Sequence, residues 1–196
     1  MIYLVRHGET TWNREGRRQG REDAPLTQRG IEQAREIGRR LHQELRDRQP
    51  LCIETSPLGR ARHTATLICE ELGVNPQTLI VSPLLMEHDM GEWQGLTSRE
   101  IDARYPGARR AREANKWTYV MPGGESYALV YERAKQWLDS PRQASITIAV
   151  AHEMISRTIQ GAYGNLSPTE TLSRSHPHDC IYRFHNGQID SVPHSA

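Results

Sequence analysis

The chain has 196 residues, which is enough for one domain with a substantial buried core. Its 25 basic and 24 acidic residues leave a net charge of +1, so no global field favours nucleic acid or a membrane surface. Three widely spaced cysteines fit neither a disulfide framework nor a metal cluster, and no signal-peptide pattern or membrane-length apolar run occurs, so we expect a cytoplasmic protein.

The first predicted element is a short buried strand over residues 2–5, an apolar run typical of parallel sheets. Arg6, His7 and Gly8 follow at its carboxyl end, which faces the ligand crevice in an open α/β sheet. Gly8 allows a sharp turn of the backbone there. The pattern therefore predicts a cation and an imidazole at a place suited to chemistry, although a single histidine is more often structural.

The next elements follow from capping residues and apolar spacing. Thr27 is predicted to cap a helix whose apolar positions recur at helical spacing as far as residue 45. After a second strand over residues 51–55, we expect Ser56 to cap another helix, with Pro57 at its first position and Gly73 at its end.

A long irregular segment follows a third predicted strand over residues 78–81. It covers residues 82–124 and contains one short helix, opened by a capping box at Thr97. Insertions of this length at the carboxyl end of a strand commonly form active-site lids. We therefore predict a cap within a single domain of residues 1–196.

The last part of the chain repeats the pattern of its beginning. The predicted elements are a helix over residues 125–139, a strand over 146–151, a helix over 153–161, a short helix opened at Ser167 and a hairpin around Asn186-Gly187. The strand over 146–151 again ends in a histidine, His152. Three strands thus deliver His7, Arg60 and His152 to one edge of a sheet, which packing alone does not require. Alternating strands and helices predict a parallel, doubly wound sheet with helices on both faces.

These residues carry a family resemblance. The matching residues are Arg6-His7-Gly8-Glu9-Thr10, Trp12-Asn13, Gln19-Gly20, Leu26-Thr27, Gly30, Ser56-Pro57-Leu58-Gly59-Arg60-Ala61, Glu87, Gly91, Trp93, Gly95 and Ala151-His152. The chain resembles the histidine phosphatase superfamily, in the branch of the cofactor-dependent phosphoglycerate mutases (branch 1). The resemblance implies an α/β, phosphoglycerate mutase-like three-layer sandwich, with a mostly parallel six-stranded sheet, helices on both faces and a cap insertion.

The residue types suit phosphoryl chemistry. Arg6 and Arg60 offer planar forks that match phosphoryl oxygens, and their charge disfavours protonation of His7. His7 is therefore predicted to attack phosphorus and form a phosphohistidine, with its other ring nitrogen held by a backbone carbonyl. The resemblance implies that His152 is a cation that orients the phosphoryl group. It also implies that Glu87 is the general acid for the leaving alkoxide and then the base for water.

Other residues are expected on the substrate side of the site. Asn13 is predicted to donate to a phosphoryl oxygen, and the Glu153 backbone N–H, at a helix start, to do likewise. Thr10, Gln19 and Gly20 are expected to line the substrate side. A glycine often follows the second histidine in the family, so the Glu153 side chain is expected to narrow the pocket or disfavour anionic substrates.

The sequence thus predicts a metal-independent phosphomonoesterase that needs no cofactor and acts on small phosphate esters. We expect no nucleic-acid or membrane partner, and a homodimer is compatible with the sequence. Three alternatives stay open: a cofactor-dependent phosphoglycerate mutase, a non-catalytic phospholigand-binding protein and a metallohydrolase. The physiological substrate is open too.

Three further patterns have more than one interpretation. Residues 152–156 begin like a zinc-protease helix but have Ser156 in place of the second histidine. His176-Pro177-His178-Asp179-Cys180 suits a turn better than a metal site. Two interpretations stay open for a group of arginines in the predicted cap, either contact with a second anionic group of a substrate or a solvated helix face. These arginines are Arg109, Arg110 and Arg112.

Overall fold

The computed structural model describes residues 1–45 and 51–192, and six strands in these ranges form one sheet. The strands are β1 Ile2–Arg6, β2 Leu51–Thr55, β3 Ile80–Val81, β4 Ile146–Ala151, β5 Ile181–His185 and β6 Gln188–Ser191. They lie in the order β3-β2-β4-β1-β5-β6, with β3, β2, β4 and β1 paired in parallel.

The sheet is mixed, so the prediction of a mostly parallel sheet is wrong. β5 pairs antiparallel with β1, and β6 pairs antiparallel with β5. The predicted turn at Asn186-Gly187 is confirmed, and both of its residues have positive φ, 49° and 76°. A two-residue turn can join only antiparallel neighbours, because a parallel pair needs a long crossover. The hairpin therefore makes this edge of the sheet antiparallel.

Helices cover both faces of the sheet, as predicted. The α-helices of the described ranges are α1 Thr11–Glu15, α2 Gln28–Leu45, α3 Gly59–Leu72, α4 Ser98–Arg104, α5 Ala108–Ala114, α6 Tyr127–Asp139, α7 Glu153–Tyr163 and α8 Pro168–Ser173. Side chains alternate between faces along β1: Tyr3 and Val5 pack with α2 and α3, whereas Leu4 packs with α6 and α7. Within the described ranges, no helix is both long and apolar enough to cross a membrane.

Most predicted helix starts are confirmed. The Thr27 hydroxyl accepts from the Gly30 N–H, and the capping boxes at Thr97 and Ser167 are both formed. Gly73 ends α3 in the left-handed conformation, with φ 68°.

Three local predictions are corrected. Ser56 does not cap α3; the helix begins at Gly59, and its first N–H groups donate to the Asp23 carboxylate from a distant loop. The third strand is shorter than predicted, because residues 76–78 form a 3₁₀ turn capped by the side chain of Asn75. Residues 82–124 contain two α-helices, α4 and α5, rather than the one short helix predicted.

The register of the central strands positions the site. Arg6 of β1 lies opposite Ala151 of β4, and Val150 lies opposite Thr55 of β2, so the three strands end at the same level. The residue after β1, His7, donates its backbone N–H to the Ala151 carbonyl. The residues that follow these strands are therefore held side by side by the sheet itself.

Candidate active site

Two imidazoles meet at the carboxyl ends of β1 and β4. The ring centroids of His7 and His152 are 5.1 Å apart, and the rings are tilted by 57°. Both residues are buried, with 2% and 0% of their surface exposed. The structure thus brings together the two histidines whose convergence the strand ends predicted.

Hydrogen bonding defines the state of the His7 ring. Nδ1 lies 2.7 Å from the Gly8 carbonyl oxygen, which can only accept, so Nδ1 carries the hydrogen. Nε2 carries the lone pair and accepts from Nε of Arg60 at 3.3 Å. Burial lowers the pKa of His7 well below its ordinary value, and the charges of Arg60 and Arg6 lower it further. The ring is therefore neutral, with its lone pair on Nε2.

Arg60 is held by the loop before α2. Its Nη1 donates to the Glu22 carbonyl at 2.6 Å and to the Asp23 carboxylate at 2.9 Å, and Nη2 donates to the Gly20 carbonyl at 2.7 Å. Only 2% of Arg60 is exposed. Asp23 also caps α3, so one carboxylate fixes both the helix start and the guanidinium. Sequence reasoning missed Asp23, because nothing local distinguishes it from the other polar residues of that loop.

Arg6 pairs with the residue that departs from the family pattern. Its Nη1 donates to Oε2 of Glu153 at 2.6 Å and to the His176 carbonyl at 2.9 Å. The other oxygen of Glu153 accepts from Nε of Arg157 at 2.8 Å. The Glu153 carboxylate therefore bridges two guanidinium groups at the start of α7 and neutralises part of the charge of Arg6.

Glu87 docks onto the N-terminus of α7. Its Oε1 accepts from the backbone N–H groups of Met154 and Ile155, both at 3.1 Å, and of His88 at 2.9 Å. Oε2 accepts only a longer bond of 3.2 Å, from Met154. A carboxylate at this end of a helix is favoured by the helix dipole. The loop that carries Glu87 is thereby tied to the helix that follows His152.

Thr10 and Asn13 form the capping box of α1. The Thr10 hydroxyl accepts from the Asn13 N–H, and Oδ1 of Asn13 accepts from the Thr10 N–H at 3.0 Å. Because Oδ1 is engaged there, the Asn13 amide nitrogen is left for other contacts. Thr10 is fully buried and is not among the residues that line the cavity described below.

A cavity of about 150 Å³ opens in front of His7. The predicted site residues that line it are Arg6, His7, Asn13, Gln19, Gly20, Arg60, Glu87 and Glu153. His152 lies behind the wall, and neither of its ring nitrogens has a hydrogen-bond partner among the described residues. Burial and the neighbouring cations Arg60 and Arg6 lower its pKa well below the ordinary value. Guanidinium groups around a neutral imidazole can bind a phosphoryl dianion and present a nucleophile to it.

The segment predicted from sequence to be a turn contributes one buried imidazole, His176, and one half-buried imidazole, His178. Nδ1 of His178 donates to the His7 carbonyl at 2.6 Å, and the two rings are 5.5 Å apart. His176 is fully buried beside Arg6, with Nε2 3.1 Å from the Cys180 carbonyl. Burial lowers the pKa of His178 to about 4 and that of His176 to about 3. In the part of the chain that the structure describes, no three His, Cys, Asp or Glu side chains are grouped to hold a metal ion.

The buried His176 predicts a pH-dependent stability. Its pKa is about 3 in the folded protein and near 6.5 in an unfolded chain, so below pH 6.5 the unfolded chain binds one more proton. Stability is therefore lost as the pH falls, by about 2 kcal/mol between pH 7 and 5 for this one group. We expect His176→Gln to reduce the difference between urea unfolding free energies at the two pH values by that amount. The exposed His63→Gln is the control; an unchanged difference in His176→Gln would contradict the prediction.

Comparison with known proteins matches this geometry to a family. The sequence model of the histidine phosphatase superfamily (branch 1) matches residues 2–189. A protein of Erwinia tasmaniensis, named probable phosphoglycerate mutase GpmB, is 34% identical over 156 residues, which cover 78% of this chain and 69% of that protein. Glucosyl-3-phosphoglycerate phosphatase of Mycolicibacterium vanbaalenii is 34% identical over 169 residues, or 85% of this chain and 65% of that protein. The chain thus spans about two thirds of these relatives.

A solved structure agrees. A mycobacterial glucosyl-3-phosphoglycerate phosphatase, crystallised with VO3, superimposes with a TM-score of 0.75 at 30% identity. The match covers 92% of this chain and 88% of that one.

Proposed function

The chain belongs to branch 1 of the histidine phosphatase superfamily and is an enzyme of the histidine phosphatase class; we propose that it hydrolyses small phosphate monoesters, without a metal ion, through a phosphohistidine on His7. The observation that carries the proposal is the His7 ring itself. Its Nδ1–H is held by the Gly8 carbonyl, its Nε2 accepts from Nε of Arg60, and the residue lines the same cavity as Arg6 and Arg60.

The proposed reaction has two steps. In the first, Nε2 of His7 bonds to phosphorus as the bond from phosphorus to the ester oxygen breaks, and Glu87, which enters the step in its protonated form, gives that oxygen the proton on Oε2. In the second, Glu87 takes a proton from water as the water oxygen attacks phosphorus. The nitrogen–phosphorus bond then breaks, which releases inorganic phosphate and restores His7.

The remaining polar groups would hold the phosphoryl oxygens. Arg6 and Arg60 supply charge-assisted donors, and the Asn13 amide nitrogen supplies a neutral one, since its oxygen is used in the cap of α1. His152 is neutral in the isolated site, and an adjacent phosphoryl dianion would raise its pKa and favour the cationic form. Gln19, Gly20 and the Glu153 N–H are proposed to contact the substrate.

We also propose that residues 82–124 act as a cap within one domain of residues 1–196. The segment has its own small core of Met90, Trp93, Ile101 and Met121, and Met90 lines the cavity in front of His7.

A small phosphate ester is the proposed partner, with no nucleic acid or membrane involved, and a homodimer stays compatible. We expect the protein in the cytoplasm, because its three widely spaced cysteines fit no disulfide framework.

A product assay tests the proposal against the mutase alternative, which the GpmB-type relative favours. With 3-phosphoglycerate we expect free phosphate and glycerate, whereas a mutase would form 2-phosphoglycerate. The assay is repeated on protein treated exhaustively with chelator, and we expect the rate to be unchanged. Formation of 2-phosphoglycerate without free phosphate would overturn the proposal, as would loss of activity on chelation that added metal restores.

A further inference from the structure

A second and larger cavity adjoins the one in front of His7. Its volume is about 440 Å³, and it shares Arg18 and Met90 with the first cavity. It lies between the loop after α1 and the segment around α5, and we call it the arginine cavity. The guanidinium groups on its wall belong to Arg18, Arg109, Arg110 and Arg112. A volume of this size is in the range of small-molecule sites.

The positive charge of the arginine cavity is only partly neutralised. Asp102 pairs with Nε of Arg109 at 2.7 Å, and Glu113 pairs with Nη1 of Arg112 at 2.7 Å. No carboxylate of the described chain pairs with the other two arginines, and Nη2 of Arg18 donates only to the Ser98 hydroxyl, at 3.3 Å. An anion placed here would relieve the repulsion among these cations.

The environment of Arg18 supports an anion site. Its pKa is lowered, first by burial and then by the charges of Arg112 and Arg109. The guanidinium of Arg112 is itself confined, because it lies 5.9 Å from the centre of the Tyr127 ring and is 9% exposed. Arg112 is buried and Arg18 is half-buried, whereas Arg109 and Arg110 are more exposed to solvent.

Two buried side chains, Trp93 and Met90, also line the arginine cavity. Trp93 lines the arginine cavity and is 2% exposed, yet its Nε1–H has no acceptor among the residues that the structure describes. A buried N–H without an acceptor is costly, and this atom is shielded from the cavity as well as from solvent. Met90, 3% exposed, forms the apolar partition shared with the first cavity.

We propose that the arginine cavity binds a second anionic group of the substrate while the phosphoryl group lies in front of His7. This inference rests on the proposed function and narrows it. The substrate class is a phosphate monoester whose organic part carries another anionic group, either a carboxylate or a second phosphate. Arg18 lines both cavities, so it lies between the site of the phosphoryl group and the site of the second anionic group.

Matched esters test the inference. 3-Phosphoglycerate is compared with glycerol 3-phosphate, which lacks the carboxylate, and fructose 1,6-bisphosphate with fructose 6-phosphate, which lacks the second phosphate. We expect the doubly anionic ester of at least one pair to have a kcat/KM about tenfold or more above its partner, the scale of a charge-assisted hydrogen bond. The pair that shows the preference identifies the second group as carboxylate or phosphate.

Variants separate this site from general charge effects. Arg18→Gln and Arg110→Gln remove the two arginines without a carboxylate partner, and each is expected to reduce the preference about tenfold. Arg99→Gln is the control, because Arg99 is an exposed arginine of α4 that does not line the cavity. A preference unchanged in the first two variants, or reduced equally in the control, would overturn the inference.

The outcomes distinguish the two proposals. Equal turnover of both esters in each pair would overturn the second anion site and leave the phosphatase proposal intact. Release of phosphate from none of the esters would count against the phosphatase proposal. Binding of the same esters to His7→Ala protein, measured by calorimetry, then judges the anion site alone, and equal affinities within each pair would reject it.

Discussion

His7→Asn is expected to reduce phosphate release by about 10⁴-fold or more, because removing a covalent nucleophile leaves only binding and electrostatic catalysis. Asparagine can place its amide nitrogen where Nδ1 of His7 donates to the Gly8 carbonyl, so the local backbone contact is kept. It has no lone pair at the position of Nε2. Steady-state release of phosphate from p-nitrophenyl phosphate measures the loss.

A rapid-quench experiment tests directly whether a phosphohistidine forms on His7. Wild-type protein mixed with a ³²P-labelled ester and denatured within a turnover should carry acid-labile label on the peptide that contains His7, and the variant should carry none. His63→Asn, an exposed histidine of α3, is the matched control and should keep both turnover and label. Label on another residue, or substantial turnover in His7→Asn, would refute the assignment.

The convergence at the sheet edge was predictable because it depends on short-range patterns. Strand ends are visible as apolar runs, and parallel strands of one sheet end at the same edge, so His7 and His152 could be placed together without coordinates. The capping boxes at Thr97 and Ser167 are equally local, since each needs only residues three positions apart.

The remaining contacts depend on residues far apart in the chain. Asp23 replaces Ser56 as the cap of α3 because the loop before α2 crosses the helix start, and a carboxylate accepts from its N–H groups. Glu87 reaches the amides of α7 across more than sixty residues. His178 lies in a segment predicted to be a turn, and the structure places its ring against His7. Neither the composition nor the residue spacing of the sequence predicts these long-range contacts.

The mixed sheet has a different cause. The turn at Asn186-Gly187 is predicted correctly from two residues, whereas the mostly parallel sheet is an expectation taken from the family's overall pattern. A hairpin of two residues determines antiparallel pairing of its strands. The pairing of β5 with β1, which makes the hairpin extend the central sheet, joins distant parts of the chain and does not follow from the turn.

Glu87→Gln is expected to slow hydrolysis about 10²- to 10⁴-fold for esters with poor leaving groups, the usual contribution of a general acid. An alkoxide such as that of glycerol 3-phosphate needs a proton as its bond to phosphorus breaks, and glutamine has none to give. p-Nitrophenolate leaves as an anion, so kcat/KM for p-nitrophenyl phosphate should fall far less. The contrast between the two substrates, rather than either rate alone, identifies the acid.

The structure makes this substitution a fair test. The amide oxygen of the introduced glutamine can keep the bonds that Oε1 of Glu87 accepts from Met154 and Ile155, so the loop should stay docked on α7. An unchanged urea unfolding midpoint checks this. Asp89→Asn is the control, because Asp89 is the nearby carboxylate, paired with Arg21. Equal losses for good and poor leaving groups in Glu87→Gln, or the contrast appearing in Asp89→Asn instead, would remove Glu87 from the role of acid.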